Sequence, residues 1–419
     1  MTLRKAIYFL TILFTVVVLV GCGGHHDEPD PKPNPLLGTH TVLVYMAADN
    51  SLNGFNKSDY NEIKTGYADK GINVSKCNLL VYIDDYTHNP TIYHLMKDAS
   101  GTVTDEILYE YPTDQNSASP IIIKDVITRV KAGYPAEKYS FIYWSHGDGW
   151  VNYPLPTKSL KPMAGTEQRW MGSDNNPTES RTNISELNDA LSSFGSKLDF
   201  LMFDACFMLS TETAYQLRDR TEYVIGSPTE IPGPGAPYDA IVPKMFSTNA
   251  AANIVKSYYD YYAATYDESA YNTNTMWTGG VSIGYVKTSM MESMAQTTRK
   301  ALANHSKIDL ETLKNRVLNY DKRSVRSSSY IGYYDLYEVM ENLLPAADFN
   351  TWKSAFSAVV LDFKTTPKNY SAFAGLFSMA GAKGLSVYLP ITEDVSSGMD
   401  KEYQQTAWYK DAGLNQLGW

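Results

Sequence analysis

Short apolar runs of strand length alternate with helical spacing through the first two thirds of the chain. Residues 41–48 (TVLVYMAA) form an apolar run, closed by Asp49-Asn50-Ser51, which offers a helix cap. A mostly polar helix can follow to about Lys70. Residues 79–84 (LLVYID) are a second run; 91–96 and 102–109, parted by a turn at Ala99-Ser100-Gly101, read as a hairpin. Residues 120–130 have helical spacing, 139–145 (YSFIYWS) are a third buried strand, and Ile184, Leu187, Leu191 and Phe194 mark a helix face. Residues 198–203 (LDFLMF) and 222–226 (EYVIG) are two more strands, with a helix over 209–217 between them. Strands this apolar are buried on both faces, so the pattern predicts an α/β fold: a mostly parallel sheet flanked by helices.

From about residue 288 helical segments dominate: 290–304, 308–320, 334–344 and 351–361. Strands are expected there only at 373–378 and 385–389, with one just before, at 281–286. The expected organisation is a catalytic domain over 39–287 and a helix-rich C-terminal region, 288–419, packed on it.

In such sheets ligands gather beyond the carboxyl ends of the strands. The residues there are Asp49, Asp84 and Asp85, Ser145-His146-Gly147, and Asp204-Ala205-Cys206. Cys206 and His146 are the most nucleophile-competent of these. A thiol is mostly protonated at neutral pH, and a nearby imidazole can take that proton and later return it to a leaving amine. Backbone N–H groups of Gly147 and Cys206 could hold a carbonyl oxygen as it turns negative. On spacing alone, an inert packed cysteine and a satisfied loop histidine stay open as readings.

Composition narrows the partners. A net charge of −10 speaks against nucleic acid, and 43% hydrophobic residues supply a large core. Three cysteines in 419 residues cannot make a disulfide scaffold. The first residues stand apart. Arg4 and Lys5 precede 15 uncharged residues (6–20), a signal-peptide core shorter than a membrane span. Leu19-Val20-Gly21-Cys22 resembles the bacterial lipobox, which implies cleavage after residue 21 and acylation of Cys22. Removing Arg4 and Lys5 with residues 1–21 would take the charge from −10 to −12. Residues 22–38, with four prolines, read as a flexible tether to the cell envelope, at the outer membrane or cell surface. Cys77 precedes a strand with no matching histidine and reads as structural.

Three blocks carry a family resemblance: 41–55 (TVLVYMAADNSLNGF), 139–150 (YSFIYWSHGDGW) and 198–219 (LDFLMFDACFMLSTETAYQLRD). They resemble the signature blocks of the clostripain-like cysteine peptidases. Residues 227–239 (SPTEIPGPGAPYD), 333–343 and 384–390 resemble later blocks. The resemblance implies a caspase-like fold and a dyad in which Cys206 attacks and His146 is base and acid. It implies endopeptidase cleavage after Arg or Lys, with Asp204 in the pocket that takes the basic side chain. One departure touches this: Pro234 stands where many members carry a second pocket acid. Glu230 or Asp239 could supply the charge from another position.

Some members cut themselves between the histidine and the cysteine. The stretch 147–183 reads as a long loop, and Lys158 and Lys161 are its candidate cleavage sites. Calcium is a need of some relatives, but no calcium-loop spacing is present, so neither metal nor other cofactor is expected. Peptide or protein substrates, a membrane contact through the lipid and a monomeric chain complete the expectation. The alternative is an inactive surface lipoprotein that binds peptide or glycan, with 32 tyrosines, among them those of 258–262, as its binding face.

Overall fold

The computed structural model describes residues 36–152, 171–175, 179–269, 277–303, 309–324, 330–390 and 397–419. Cys22, the tether up to residue 35, Lys158 and Lys161 lie outside the described residues.

Among the described residues nine strands form one mixed sheet: β1 (Gly38–Ala47), β2 (Cys77–Asp85), β3 (His88–Lys97), β4 (Val103–Glu110), β5 (Ala136–Trp144), β6 (Leu201–Asp204), β7 (Tyr223–Gly226), β8 (Ser282–Lys287) and β9 (Val360–Thr365). Their order is β9-β8-β7-β6-β5-β1-β2-β3-β4. The five central strands, β7-β6-β5-β1-β2, are parallel, and an antiparallel pair closes each side. This is the α/β architecture that the apolar runs predicted, with the mostly parallel sheet that the caspase-like resemblance implied.

Each central strand serves two cores. On β1, Val42, Val44 and Met46 point to one face and Leu43, Tyr45 and Ala47 to the other, all with no exposed surface. That two-sided burial is why the strand reads as an unbroken apolar run. The first face packs on α1 (Asn56–Tyr67), α5 (Tyr238–Met245) and α6 (Ala250–Ala263). The second packs on α2 (Pro120–Gly133), α3 (Ile184–Leu191), α4 (Thr211–Gln216) and α7 (Met291–Leu302).

The C-terminal residues contribute more to the sheet than their helical pattern suggested. The helix expected over 351–361 is longer and earlier, Ala346–Val359, and the chain then runs straight into β9. β9 pairs with β8 as the edge strand of the same sheet, so residues 288–419 supply a strand to the sheet of residues 39–287.

The helix after β1 also starts later than its capping sequence suggested. α1 begins at Asn56, and its N-cap, Phe55, makes no side-chain cap. Asn50 is used elsewhere: its amide donates to Ala47 O and Ser173 O, both at 2.8 Å, and so braces the loop beyond β1.

Candidate active site

The register of β5 and β6 builds the site. Trp144 pairs with Asp204 across the two parallel strands. His146 and Cys206 each follow two residues later, so both turn out of the sheet at one level, beside the point where the strand order reverses. Gly147 lets the two turns touch: a Cβ there would stand 2.5 Å from Cys206 O. Phe207, directly after the cysteine, is held at φ +60° by Phe207 N donating to Thr229 O at 2.9 Å. Left-handed backbone at a bulky residue is uncommon and marks a constrained turn.

His146 and Cys206 are both half-buried and line one cavity of about 410 Å³. Ile231 N donates to Cys206 Sγ at 3.4 Å, a polar contact that favours the thiolate. Ser51 Oγ lies 2.8 Å from His146 Nε2. The sequence marks Ser51 only as part of a helix cap, and its place beyond the carboxyl end of β1 is the available signal.

Asp204 lies in the same cavity, 3% exposed. Its Oδ2 accepts from Ala236 N at 3.1 Å and from Tyr238 OH at 3.0 Å. Its Oδ1 is buried and takes no hydrogen bond among the described residues. Burial pushes the carboxyl up to about 6, against the opposing pull of those two donors. Glu230 and Asp239, named from the sequence as substitute charges, do not line this cavity. Glu230 instead reaches the backbone N–H of Ala372, at 3.2 Å.

A clamp from the C-terminal region holds the histidine loop. Arg323 donates to Asp148 through two hydrogen bonds, at 2.8 and 2.9 Å, and to Asp321 at 2.7 and 2.9 Å. Tyr333 OH donates to Asp148 O at 2.6 Å. Asp148 is two residues past His146, so Arg323 and Tyr333 fix the turn that carries the imidazole. Nothing in the local sequence marked Arg323, because its partner is 175 residues away.

Among the described residues, the expectation of no metal site meets one cluster. Asp49, Asp84 and Asp114 offer oxygens within 4.8 Å of one another. Burial, then Asp174, Asp114 and Asp49, push Asp84 up to about 9, so it stays protonated at neutral pH unless a cation joins the cluster. Cys77 is a half-buried free thiol, pushed up by burial, in keeping with a packing role. Tyr258 and Tyr262, from the tyrosine cluster, are buried rather than displayed, and both hydroxyls donate to Gly235 O.

The clostripain family model matches residues 44–417. The chain is 28% identical to clostripain of Hathewaya histolytica over 232 residues, which span 49% of this chain and 42% of that one. It therefore matches less than half the length of that relative. A solved structure of a secreted C11 cysteine protease from Bacteroides thetaiotaomicron, in complex with an irreversible peptide inhibitor, is 38% identical. It covers 90% of this chain and 99% of its own, with a TM-score of 0.79. An inactive zymogen C11 protease from Parabacteroides distasonis is 27% identical, covers 90% of this chain and 99% of its own, and has a TM-score of 0.72. The chain belongs to the clostripain family of cysteine peptidases.

Proposed function

We propose that the protein is an endopeptidase that cleaves after Arg or Lys. The observation that carries this is one cavity lined by Cys206, His146 and a buried carboxylate, Asp204, with an oxygen still to be satisfied. His146 takes the thiol proton and Cys206 Sγ attacks the carbonyl carbon. The oxyanion that forms accepts from the N–H groups of Gly147 and Cys206. His146 then protonates the leaving amine, and a water molecule, activated by the same imidazole, hydrolyses the thioester. Asp204 pairs with the basic side chain before the cut, and a neutral side chain would leave it buried and unanswered.

Fluorogenic peptides that differ only at the residue before the cut test this. Cleavage after Lys or Arg is expected, and Cys206→Ala and His146→Ala should each abolish it. Activity that survives Cys206→Ala would refute the nucleophile.

Two further readings rest on residues outside the described ones. The chain is matured by its own cut at Lys158 or Lys161, in the stretch of sequence that follows the histidine. A gel of wild type beside Cys206→Ala should show two fragments against one band, and identical single bands sink the idea. Cys22 bears lipid and anchors a monomeric enzyme to the envelope of an exporting bacterium. Cys22→Ser should release the protein from the membrane fraction, and unchanged fractionation would count against the anchor. No helix among the described residues is long and apolar enough to cross a membrane.

A further inference from the structure

A second carboxylate faces Asp204 across the cavity. Asp59 sits on α1, a helix whose polar sequence gave no hint that this residue is only 2% exposed. Its Oδ2 accepts from Trp144 Nε1 at 2.7 Å, and Trp144 is the register partner of Asp204. α1 is brought close by Gly66, where a Cβ would stand 2.6 Å from Tyr238 O. Tyr238 is also the residue whose hydroxyl donates to Asp204.

Gly235 shows how near the two acids come. A Cβ on Gly235 would stand 3.2 Å from Asp204 Oδ2 and 3.4 Å from Asp59 Oδ2, so the glycine keeps open the space between them. Its carbonyl is pinned by Tyr262 OH at 2.6 Å and Tyr258 OH at 3.4 Å, which fixes the loop on the floor of the cavity. Among the described residues the charges that bear on Asp59 are those of Asp204 and Glu62, both acidic. Two buried carboxylates with no cation between them are costly alone and strongly attractive to one. A guanidinium or ammonium has enough donors to answer both.

We propose that Asp59 is a specificity-determining residue of the basic-side-chain pocket, supplying from α1 the second acid that Pro234 excludes from the loop. This rests on the reading that the protein cleaves after basic residues. The side chain before the cut enters beside Gly235, with Asp204 below it and Asp59 at its flank.

The test uses matched pairs of peptide substrates: Lys against norleucine, and Arg against citrulline, before the cut. The readout is the ratio of kcat/KM within each pair. That ratio is measured on one sample, so it is independent of how much of a variant has folded. Asp59→Asn should lower the basic-to-neutral ratio by roughly tenfold or more, as expected for loss of a hydrogen bond to a charged group. If Asp59 only braced Trp144, both substrates of a pair would slow alike and the ratio would stay within about twofold of wild type. That result, with Asp204→Asn still collapsing the ratio, overturns the proposal and leaves the peptidase reading intact. A wild-type ratio near one overturns both.

Discussion

Ser51 Oγ and His146 Nε2 stand 2.8 Å apart, joining the loop beyond β1 to the loop beyond β5. One ring nitrogen of the imidazole is thereby committed, which sets how the ring faces the thiol. Ser51→Ala should leave the fold intact and lower kcat/KM by roughly threefold to tenfold, the worth of one ordinary hydrogen bond. It should also shift the histidine limb of the pH–rate profile, which a purely structural change would not. An unaltered profile and rate would show that Ser51 does not orient the ring.

The pair of acids in the cavity carries a pH dependence of known sign. Burial, reinforced by Asp204, pushes Asp59 up to about 8, and burial pushes Asp204 up to about 6. Glu62 on α1, pushed up to about 7 by burial and by Asp239 on α5, faces the same region, as do the neutral hydroxyls of Tyr238, Tyr258 and Tyr262. Both acids must ionise to hold a cation, so the preference for Lys over norleucine should rise from pH 6 to pH 8. Asp59→Asn should flatten the upper part of that rise. A preference that is constant across the range would contradict ionisation in the pocket.

The same shifts act on stability. A carboxyl with its folded pKa raised keeps its proton when the unfolded chain has lost it. Stability therefore falls as pH rises from about 4, the unfolded value, through the folded values near 6 and 8. Denaturant titrations at pH 5 and pH 8 should show wild type losing more stability between them than Asp59→Asn does. Equal losses would mean that Asp59 is not held in its neutral form.

The strand runs announced the sheet because β1, β5 and β6 are buried on both faces, which leaves no polar alternation to confuse them. His146, Cys206 and Asp204 were legible for the same reason: they sit where those runs stop. The rest of the site was not local. Asp59 lies in NKSDYNEIKTGY, where Asn56, Asp59, Ile63, Gly66 and Tyr67 share the buried face, so only Ile63 and Tyr67 give it apolar bulk and it looks solvated. α5 carries Pro243 within it, a residue that normally argues against a helix. β9 follows a helix without a break, so its apolar residues extended the helical period instead of ending it.

Arg323 tests whether the C-terminal region is part of the catalytic machinery's support. Arg323 is 5% exposed, and its guanidinium answers two carboxylates, Asp148 and Asp321, as buried charges require. Arg323→Ala would leave both acids buried without their cation, and a loss of about 3–5 kcal/mol in unfolding free energy is expected. Asp148→Asn is milder, because the side chain can still accept from Arg323, and it should retain most stability while loosening the turn after His146. Its signature is a fall in kcat with little change in KM. Full activity in Asp148→Asn would mean the turn is fixed by Tyr333 and Gly147 alone.

Gly235→Ala probes the floor of the cavity. The glycine has φ +76°, so any L side chain costs about 1–2 kcal/mol there before its contacts are counted. The added methyl would also stand between Asp59 and Asp204 at 3.4 and 3.2 Å, in the space assigned to the basic side chain. Cleavage after Lys and Arg should fall by more than tenfold, since a misplaced or excluded cation loses charge-assisted hydrogen bonds to both acids. Alkylation of Cys206 by a small neutral reagent should proceed at close to the wild-type rate, because the methyl sits beside the two carboxylates and not at the sulfur. If alkylation slows as much as peptide cleavage, the methyl has disturbed the thiol itself, and Gly235 is structural.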